Sequence, residues 1–421
     1  MLVERICPSN LHFLKNRRRM WTPFSLLYRL FVLTLYVAFV YLVGCGYVIF
    51  VGYCVLLFII MEFSRLVLCR RKTTLEKRAH RVRVLVGSLD SAKFDVPMRK
   101  FFLLSEECIG SSGTDQGGDR GKESETERLF RVKDPIPLVD RQTFPQWKVA
   151  IEIGSLFTSL PWTKKRHRTL FLQPLGEFPD FIRNFRLGDK TLFNLLKAFA
   201  SAFFAGMGVE ILDELNVDNL PFTTRHHKVT GKKQILVSDI LTKITRHVTK
   251  HSKNDFVVGI SWTDLYPSED LNFVLGEASY KDRSAVLSFG RFEPRTYKGN
   301  EIDGDPDITA IDGQILWRLL KVLSHETCHI FGLAHCVFFD CAMNESSAIE
   351  EAMSQPLFLC PICLRKLQHA LGFDVRSRYR DLHSICSLIQ LHFPTKQMAD
   401  AIVWLEKCSM FLNTLDGRDI V

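Results

Sequence analysis

The sequence predicts an α/β fold in which a twisted mixed sheet packs against helices. Over residues 144–312, short apolar segments with strand character alternate with amphipathic segments of helical period. A longer segment of helical period follows at residues 314–331. Helices interspersed with strands are typical of a sheet that buries its faces under helices. We therefore predict one folded domain at residues 144–392, with the rest of the chain attached to it.

The composition allows a sizeable core. The chain has 421 residues, of which 47% are apolar, and a net charge of +9. That length is sufficient for one domain with long additions. The basic residues cluster beside an apolar run near the N-terminus and around residues 228–233, without the interleaved aromatic residues of a nucleic-acid surface. We expect no nucleic-acid partner.

An apolar run follows a basic N-terminal tail at residues 1–20. Residues 21–69 form a predicted transmembrane segment or hairpin, because no charged residue lies between Leu30 and Met61. As one helix, the uncharged stretch from Leu30 to Met61 would measure about 48 Å, which is more than the thickness of a hydrocarbon core, about 30 Å. We expect either a tilted helix or a hairpin broken at residues 44–46. The alternative is that the segment comes from a mistaken translation start.

Residues 70–143 are predicted to be a basic stretch and a disordered linker. The segment at residues 108–128 contains few apolar residues and many glycine, serine and charged residues. Such a composition cannot bury enough apolar surface to fold alone. The folded domain is therefore expected to begin at Phe144.

Hydrophobic periodicity predicts the elements of that domain. Pro174 should stop the first strand, Gly206 or Gly208 should end the first helix, and the polar turn SYKDRS should join the last two strands into a hairpin. A C-terminal helix within residues 393–421 should pack on the domain. The predicted strands are residues 168–173, 209–212, 256–261, 271–278 and 285–289, and the predicted helices before the C-terminal region are residues 192–207, 237–248 and 314–331.

The helix at residues 314–331 leads into the motif H-E-x-x-H-x-x-G-x-x-H, with Asp312 or Gly313 as its cap. His325 and His329 are four residues apart, so they lie on one face and can offer two imidazoles to one zinc ion. A glycine after the helix permits a left-handed turn that brings His335 round as a third ligand. Three protein ligands leave one position for water, which is typical of a catalytic zinc.

Glu326 is the predicted general base. It lies about 100° round the helix from His325, where it can reach a zinc-bound water without ligating the metal. Zinc lowers the pKa of such a water toward about 7, and the glutamate takes the proton and returns it to the leaving amine. The predicted reaction is therefore hydrolysis of a peptide or amide bond.

Four cysteines follow the motif within a short segment. Cys336 is the neighbour of His335, and neighbouring side chains of an extended chain point in opposite directions. Two close pairs of cysteines separated by a loop can supply a closed tetrahedral zinc site. We therefore predict a structural zinc and a total of two Zn²⁺ per chain; the alternative is buried free thiols or disulfides. The predicted ligands are Cys336, Cys341, Cys360 and Cys363.

Residues 325–363 resemble the archaemetzincin family of zinc metallopeptidases. The strings HETCHIFGLAHCVFFDCAM and LCPICLRKL carry the resemblance, and weaker matches such as LFLQPLGEFP and LNFVLGEAS extend it over residues 144–392. The resemblance implies a metzincin-like domain split by a cleft, with the same histidines, glutamate and cysteines at its metal sites. It also implies that Met343 lies in a methionine turn beneath the catalytic zinc. Family members resemble aminopeptidases or narrow peptidases.

The leading hypothesis is a zinc-dependent peptidase acting as an aminopeptidase on short peptides. We expect a monomer in a reducing compartment, cytoplasm or nucleus, with a membrane anchor at residues 24–68. The alternative is a non-catalytic, zinc-stabilised peptide-binding domain or a membrane-tethered adaptor. The presence of Glu326 favours the peptidase, because a binding module needs no general base.

Overall fold

The computed structural model describes most of the chain from residue 84 onward. The described residues are 34, 84–103, 129–130, 142–157, 168–217, 220–228, 230–248, 255–292, 308–346 and 349–413. Those from Leu85 onward belong to one compact unit. The apolar run predicted at residues 21–69 lies outside the described residues, apart from Thr34. Among the described residues, no helix combines the length and apolar character needed to cross a bilayer.

Helices and strands alternate through the first two thirds of this unit, and helices alone follow. The helices are α1 Val96–Leu103, α2 Phe144–Phe157, α3 Asp180–Arg183, α4 Leu192–Phe203, α5 Val237–Val248, α6 Gly313–Ile330, α7 Ile349–Ser354, α8 Pro361–Leu371, α9 Val375–His392 and α10 Lys396–Asn413. The strands are β1 Thr169–Leu175, β2 Gly208–Ile211, β3 Thr224–His226, β4 Lys233–Leu236, β5 Phe256–Ser261, β6 Asp264–Tyr266, β7 Gly276–Ser279 and β8 Ser284–Ser288.

The main sheet has five strands in the order β2-β1-β5-β8-β7. The first four run parallel, and β7 pairs antiparallel with β8 at the edge. A smaller sheet has the order β3-β4-β6. The predicted mixed α/β fold is confirmed. The strand at the antiparallel edge lies against α6, the helix that carries the zinc motif.

Helices cover both faces of the main sheet, so its central strand β5 is buried at every position. Alternate residues of a strand face opposite sides. Val257 packs in a cluster with the apolar face of α5, whereas the ring of Phe256 lies 5.0 Å from that of Phe331 at the end of α6. The motif helix is therefore held against a two-sided core and cannot slide without disrupting it.

Several predicted boundaries differ from the structure. Strand β1 continues through Pro174 to Leu175, because Pro174 lies past the end of β2, at a position where a strand tolerates proline. Helix α4 ends at Phe203, before Gly206, whose φ is +93°. The strand predicted at residues 271–278 is shorter and begins at Gly276.

Helix α1 lies inside the region predicted as linker at residues 70–143. Phe101 and Phe102 of this helix are buried, and Phe101 lies 5.4 Å from the ring of Phe130. The Trp404 ring of α10 contacts Phe130 at 5.7 Å and its Nε1 donates to the carbonyl of Leu129. The linker prediction fails for these residues because aromatic side chains too sparse to form a core alone are buried against the C-terminal helices.

Candidate active site and metal centres

Helix α6 begins where the sequence predicts and holds the motif rigidly. The Asp312 side chain caps it by accepting a hydrogen bond from the Ile315 amide at 2.8 Å. Its apolar face packs on β7, β8 and α4. His325 and Glu326 lie on its half-buried side, near the edge strand β7.

Two backbone carbonyls orient the rings of His325 and His329. The Nδ1 atom of His325 lies 2.7 Å from the carbonyl of Ala342, and Nδ1 of His329 lies 2.7 Å from the carbonyl of Leu333. A carbonyl only accepts, so both Nδ1 atoms carry hydrogen and both Nε2 atoms keep a lone pair. The two Nε2 atoms face each other at 3.0 Å.

A left-handed turn brings the third histidine to the same place. Gly332 has a φ of +76°, as predicted for the residue that leaves the helix, and its amide donates to the carbonyl of His329 at 2.8 Å. The ring of His335 then lies 5.4 Å from that of His325 and 4.9 Å from that of His329. One nitrogen from each of the three histidines lies within 4.8 Å of the others.

The three histidines fit a zinc ion. Two lone pairs facing each other at 3.0 Å repel unless a cation lies between them. Burial lowers the pKa of His325 to about 4 and holds the pKa of His329 well below its usual value, so protonation does not relieve the repulsion near neutral pH. Tetrahedral zinc with Zn–N of about 2.0–2.1 Å requires nitrogens roughly 3.3 Å apart.

The carboxyl of Glu326 lies in a confined space against the edge strand β7. Burial and then the negative charge of Glu277 raise the pKa of Glu326 to about 8. A Cβ placed on Gly276 would come 2.7 Å from Glu326 Cγ and 3.0 Å from the carbonyl oxygen of Val286. The edge strand therefore leaves room for the glutamate only because residue 276 has no side chain.

The four cysteines form a second cluster, fully buried. Their sulfur atoms all lie within 4.8 Å of one another, and those of Cys336 and Cys360 are 3.7 Å apart. A disulfide requires about 2.05 Å, whereas two thiolates on one tetrahedral zinc are roughly 3.8 Å apart. Hydrogen bonds from the other three thiols hold the pKa of Cys336 well below its usual value, whereas burial raises the pKa of Cys341 and Cys360, so one thiolate among thiols is favoured without a metal. The cluster therefore fits zinc.

Amide groups of the loop point at one of these sulfurs. The amides of Met343 and Cys360 donate to Cys341 Sγ at 3.4 and 3.3 Å. Hydrogen bonds of this kind stabilise a thiolate. Met343 itself is fully buried, and its carbonyl accepts from the Cys336 amide at 2.7 Å.

The loop joins the two clusters through its backbone. Ala342, whose carbonyl orients His325, lies between Cys341 and Met343 in the chain. A change at Cys341 would therefore reach the ring of His325 through one residue of backbone.

Asn344 closes this loop, and sequence reasoning missed it. Its Oδ1 accepts from the Cys341 amide at 2.8 Å, and its Nδ2 donates to the carbonyls of Cys336 and Phe339 at 2.7 and 2.8 Å. The side chain is 4% exposed. Asn344 does not lie at a spacing typical of metal ligands. Its only signal in the sequence is that it is a polar residue directly after the predicted methionine turn.

A family model now accounts for the same residues. The model of peptidase family M54 matches residues 234–369, which contain both clusters. Rat archaemetzincin-2 is 35% identical over 237 residues, which are 52% of this chain and 63% of the rat protein. Human archaemetzincin-2 is 35% identical over 246 residues, 54% of this chain and 66% of the human protein.

The chain is similar to the archaemetzincin family over about half of its length. The resemblance predicted from residues 325–363 is thereby confirmed, and M54 is a family of zinc metallopeptidases. Human archaemetzincin-1 is more distant, at 29% identity over 271 residues, 60% of this chain and 52% of that protein. The chain spans less than two thirds of the length of each of these archaemetzincins.

Two archaeal crystal structures are also similar. The archaemetzincin of Methanopyrus kandleri is 26% identical, with a TM-score of 0.34 over 50% of this chain and 98% of that one. A zinc-dependent peptidase from Methanocorpusculum labreanum is 19% identical, with a TM-score of 0.35 over 47% and 99%.

Proposed function

We propose that this protein hydrolyses peptide bonds, with a zinc ion held by His325, His329 and His335 and with Glu326 as general base. The observation that carries the proposal is the meeting of three half-buried imidazoles, with the half-buried Glu326 next to His325 in the helix and facing the edge strand. The Nδ1 hydrogens of His325 and His329 are each donated to a backbone carbonyl, so the Nε2 atom of each ring has a lone pair available to bind a metal ion.

A zinc ion at this site supplies a Lewis acid that polarises the scissile carbonyl and acidifies water. The chain supplies the proton transfer. Glu326 has a pKa of about 8 without a cation nearby, and positive charge at the histidines favours its carboxylate. Glu326 accepts a proton from the attacking water and returns it to the departing amine.

The edge strand β7 is suited to bind an extended peptide. The Ser288 amide donates to the carbonyl of Leu275, and hydrogen-bonding residues alternate in an antiparallel pair. The backbone N–H and C=O groups of Glu277 and Ser279 therefore point toward β8, whereas those of Gly276 and Ala278 point away from it. Beyond β7 no further strand pairs among the described residues. A substrate strand can bind there, next to Glu326.

We further propose that the preferred substrates are short peptides with a free amino terminus. The negative charge of Glu277 acts at Glu326 and favours a positively charged group near the base. The test compares a peptide series with its N-acetylated counterparts. Peptides with a free amino terminus should be cleaved faster than the N-acetylated ones, and Glu277→Gln should reduce this difference in cleavage rate. Equal cleavage rates for both series would contradict the aminopeptidase proposal.

We also propose that Cys336, Cys341, Cys360 and Cys363 hold a structural zinc, which makes two Zn²⁺ per chain. Four sulfur ligands leave no open position, so this metal would stabilise the loop rather than take part in chemistry. We propose a reducing compartment such as cytoplasm or nucleus, because the four cysteines must stay reduced to hold a metal ion. Cell fractionation that compares the full chain with a variant lacking residues 1–90 tests both the proposed compartment and a proposed membrane anchor at residues 24–68.

The decisive experiment measures turnover of a broad peptide library by the zinc-loaded full chain, with Glu326→Gln as the control. Wild type should cleave and the variant should lose at least about a hundredfold in kcat. If both proteins bind zinc and peptide but neither cleaves, the chain is a peptide-binding domain. If both are silent and peptide does not bind, the adaptor alternative is favoured.

A further inference from the structure

One amide side chain outside the motif holds the turn that carries His335. The Nε2 atom of Gln142 donates to the carbonyl of Gly332 at 3.0 Å, and its Oε1 accepts from the amide of Ala334 at 3.0 Å. The same side chain thus pairs with backbone groups on both sides of the turn. The neighbouring Trp147 donates from Nε1 to the carbonyl of Phe331 at 3.1 Å.

A buried lysine fixes the orientation of that amide. Nζ of Lys366 lies 2.7 Å from the backbone carbonyl of Gln142 and 2.9 Å from its Oε1, and Lys366 is 2% exposed. An ammonium group only donates, so Oε1 must accept and Nε2 must face Gly332. Lys366 lies on α8, three residues after Cys363. The chain of contacts therefore runs from the helix of the cysteine cluster to the turn before His335.

The turn needs such support because His335 is the one histidine of the site that no helix holds. Gly332 is also confined: a Cβ there would lie 2.8 Å from Ile151 Cδ1 of α2. Ligands fixed by their surroundings bind metal tightly, and the loss of a supporting hydrogen bond typically weakens binding by about 10–100-fold. Residue 142 lies outside the segment 234–369 that the family model matches.

We infer that Gln142, oriented by Lys366, is a positioning residue for the third histidine of the metal site. The inference rests on the proposed function of the histidine site. It predicts that Gln142→Ala weakens metal binding at the histidines about tenfold, the lower end of that range, because Gln142 holds the backbone and not the imidazole itself.

The experiment titrates the full chain with Co²⁺ at equilibrium against a chelator. Cobalt on cysteines shows thiolate charge-transfer bands, and cobalt on histidines shows only ligand-field bands, so the two sites are read separately. Gln146→Ala is the matched control, since Gln146 lies in the same segment and its side-chain oxygen accepts from the Thr143 amide at the start of α2. Lys366→Met should act in the same direction as Gln142→Ala, and the double variant should be no worse than the stronger single one.

The inference stands if Gln142→Ala lowers cobalt affinity and alters the ligand-field spectrum at the histidines, while the cysteine site and Gln146→Ala behave as wild type. It is overturned if Gln142→Ala and Gln146→Ala bind cobalt equally. Should Gln142→Ala not fold, Gln142→Asn, whose shorter amide cannot span the turn, gives the same two outcomes. Because metal binding is read without substrate, a wild type that binds cobalt but cleaves nothing would refute the proposed function alone.

Discussion

Gly276→Ala should disable the general base without touching a metal ligand. The added Cβ would meet Glu326 Cγ at 2.7 Å and Cδ at 3.0 Å, with the Val286 carbonyl oxygen at 3.0 Å on its other side. Backbone on one side prevents the methyl group from moving away, so the glutamate side chain must move. Overpacking of this kind costs about 1–3 kcal/mol, and a displacement of about 1 Å at a catalytic group can cost about a hundredfold in rate.

The assay measures kcat, KM, bound zinc and thermal unfolding of the full chain. We expect kcat to fall about a hundredfold for Gly276→Ala, with zinc content unchanged. Gly208→Ala is the control, because it adds the same methyl group to the opposite edge strand, where the nearest atom is 3.7 Å away. If Gly276→Ala keeps both wild-type kcat and wild-type stability, then residue 276 does not confine Glu326 and the argument fails.

Three further predictions concern the loop, the cysteines and the pH response. Asn344→Ala leaves three buried backbone groups unpaired and should lower the free energy of unfolding by about 3 kcal/mol, measured by denaturant titration; a loss below about 1 kcal/mol would contradict its role. Cys360→Ser should release the structural zinc and destabilise the loop, whereas Cys386→Ser, at a buried cysteine outside the cluster, should keep two zinc ions by metal analysis. When only the metal at the histidines is removed, the raised pKa of Glu326 means that the folded state binds more protons than the unfolded state. The stabilising contribution of Glu326 is therefore present below pH about 4.5 and is lost as the pH rises toward 8. Between pH 6.5 and 8, wild type should therefore lose up to about 2 kcal/mol relative to Glu326→Gln, and parallel stability curves would refute the raised pKa.

The elements that sequence predicted well are those whose signals are local. Helix α6 has its cap at Asp312, its apolar period and its left-handed glycine within about twenty residues of chain, and the structure reproduces all three. Strand β5 and helix α5 occur at the predicted residues because an uninterrupted apolar run and a helical period are each visible in a short window. Element ends were less accurate where a neighbouring element decides them, as at Pro174.

The contacts that complete the site come from distant parts of the chain. Gln142 lies 190 residues before the carbonyl it binds, and nothing in its neighbourhood marks it as part of a metal site. Helix α1 was predicted as part of a linker because a residue on which it packs, Tyr379, is more than two hundred residues away from Phe101. The assignment of residues 21–69 to a membrane stays a prediction.

The sequence by itself determined which atoms could bind zinc, because ligand identity and helical spacing are properties of a short segment. It also predicted the resemblance to the archaemetzincin family, since the zinc motif and the cysteines behind it occur together. Only the tertiary structure decided how those atoms are held: which carbonyls orient the histidines, which strand leaves space for Glu326, and which amide fixes the turn before His335. These depend on distances between segments far apart in the chain, and periodicity and spacing contain no information about such distances.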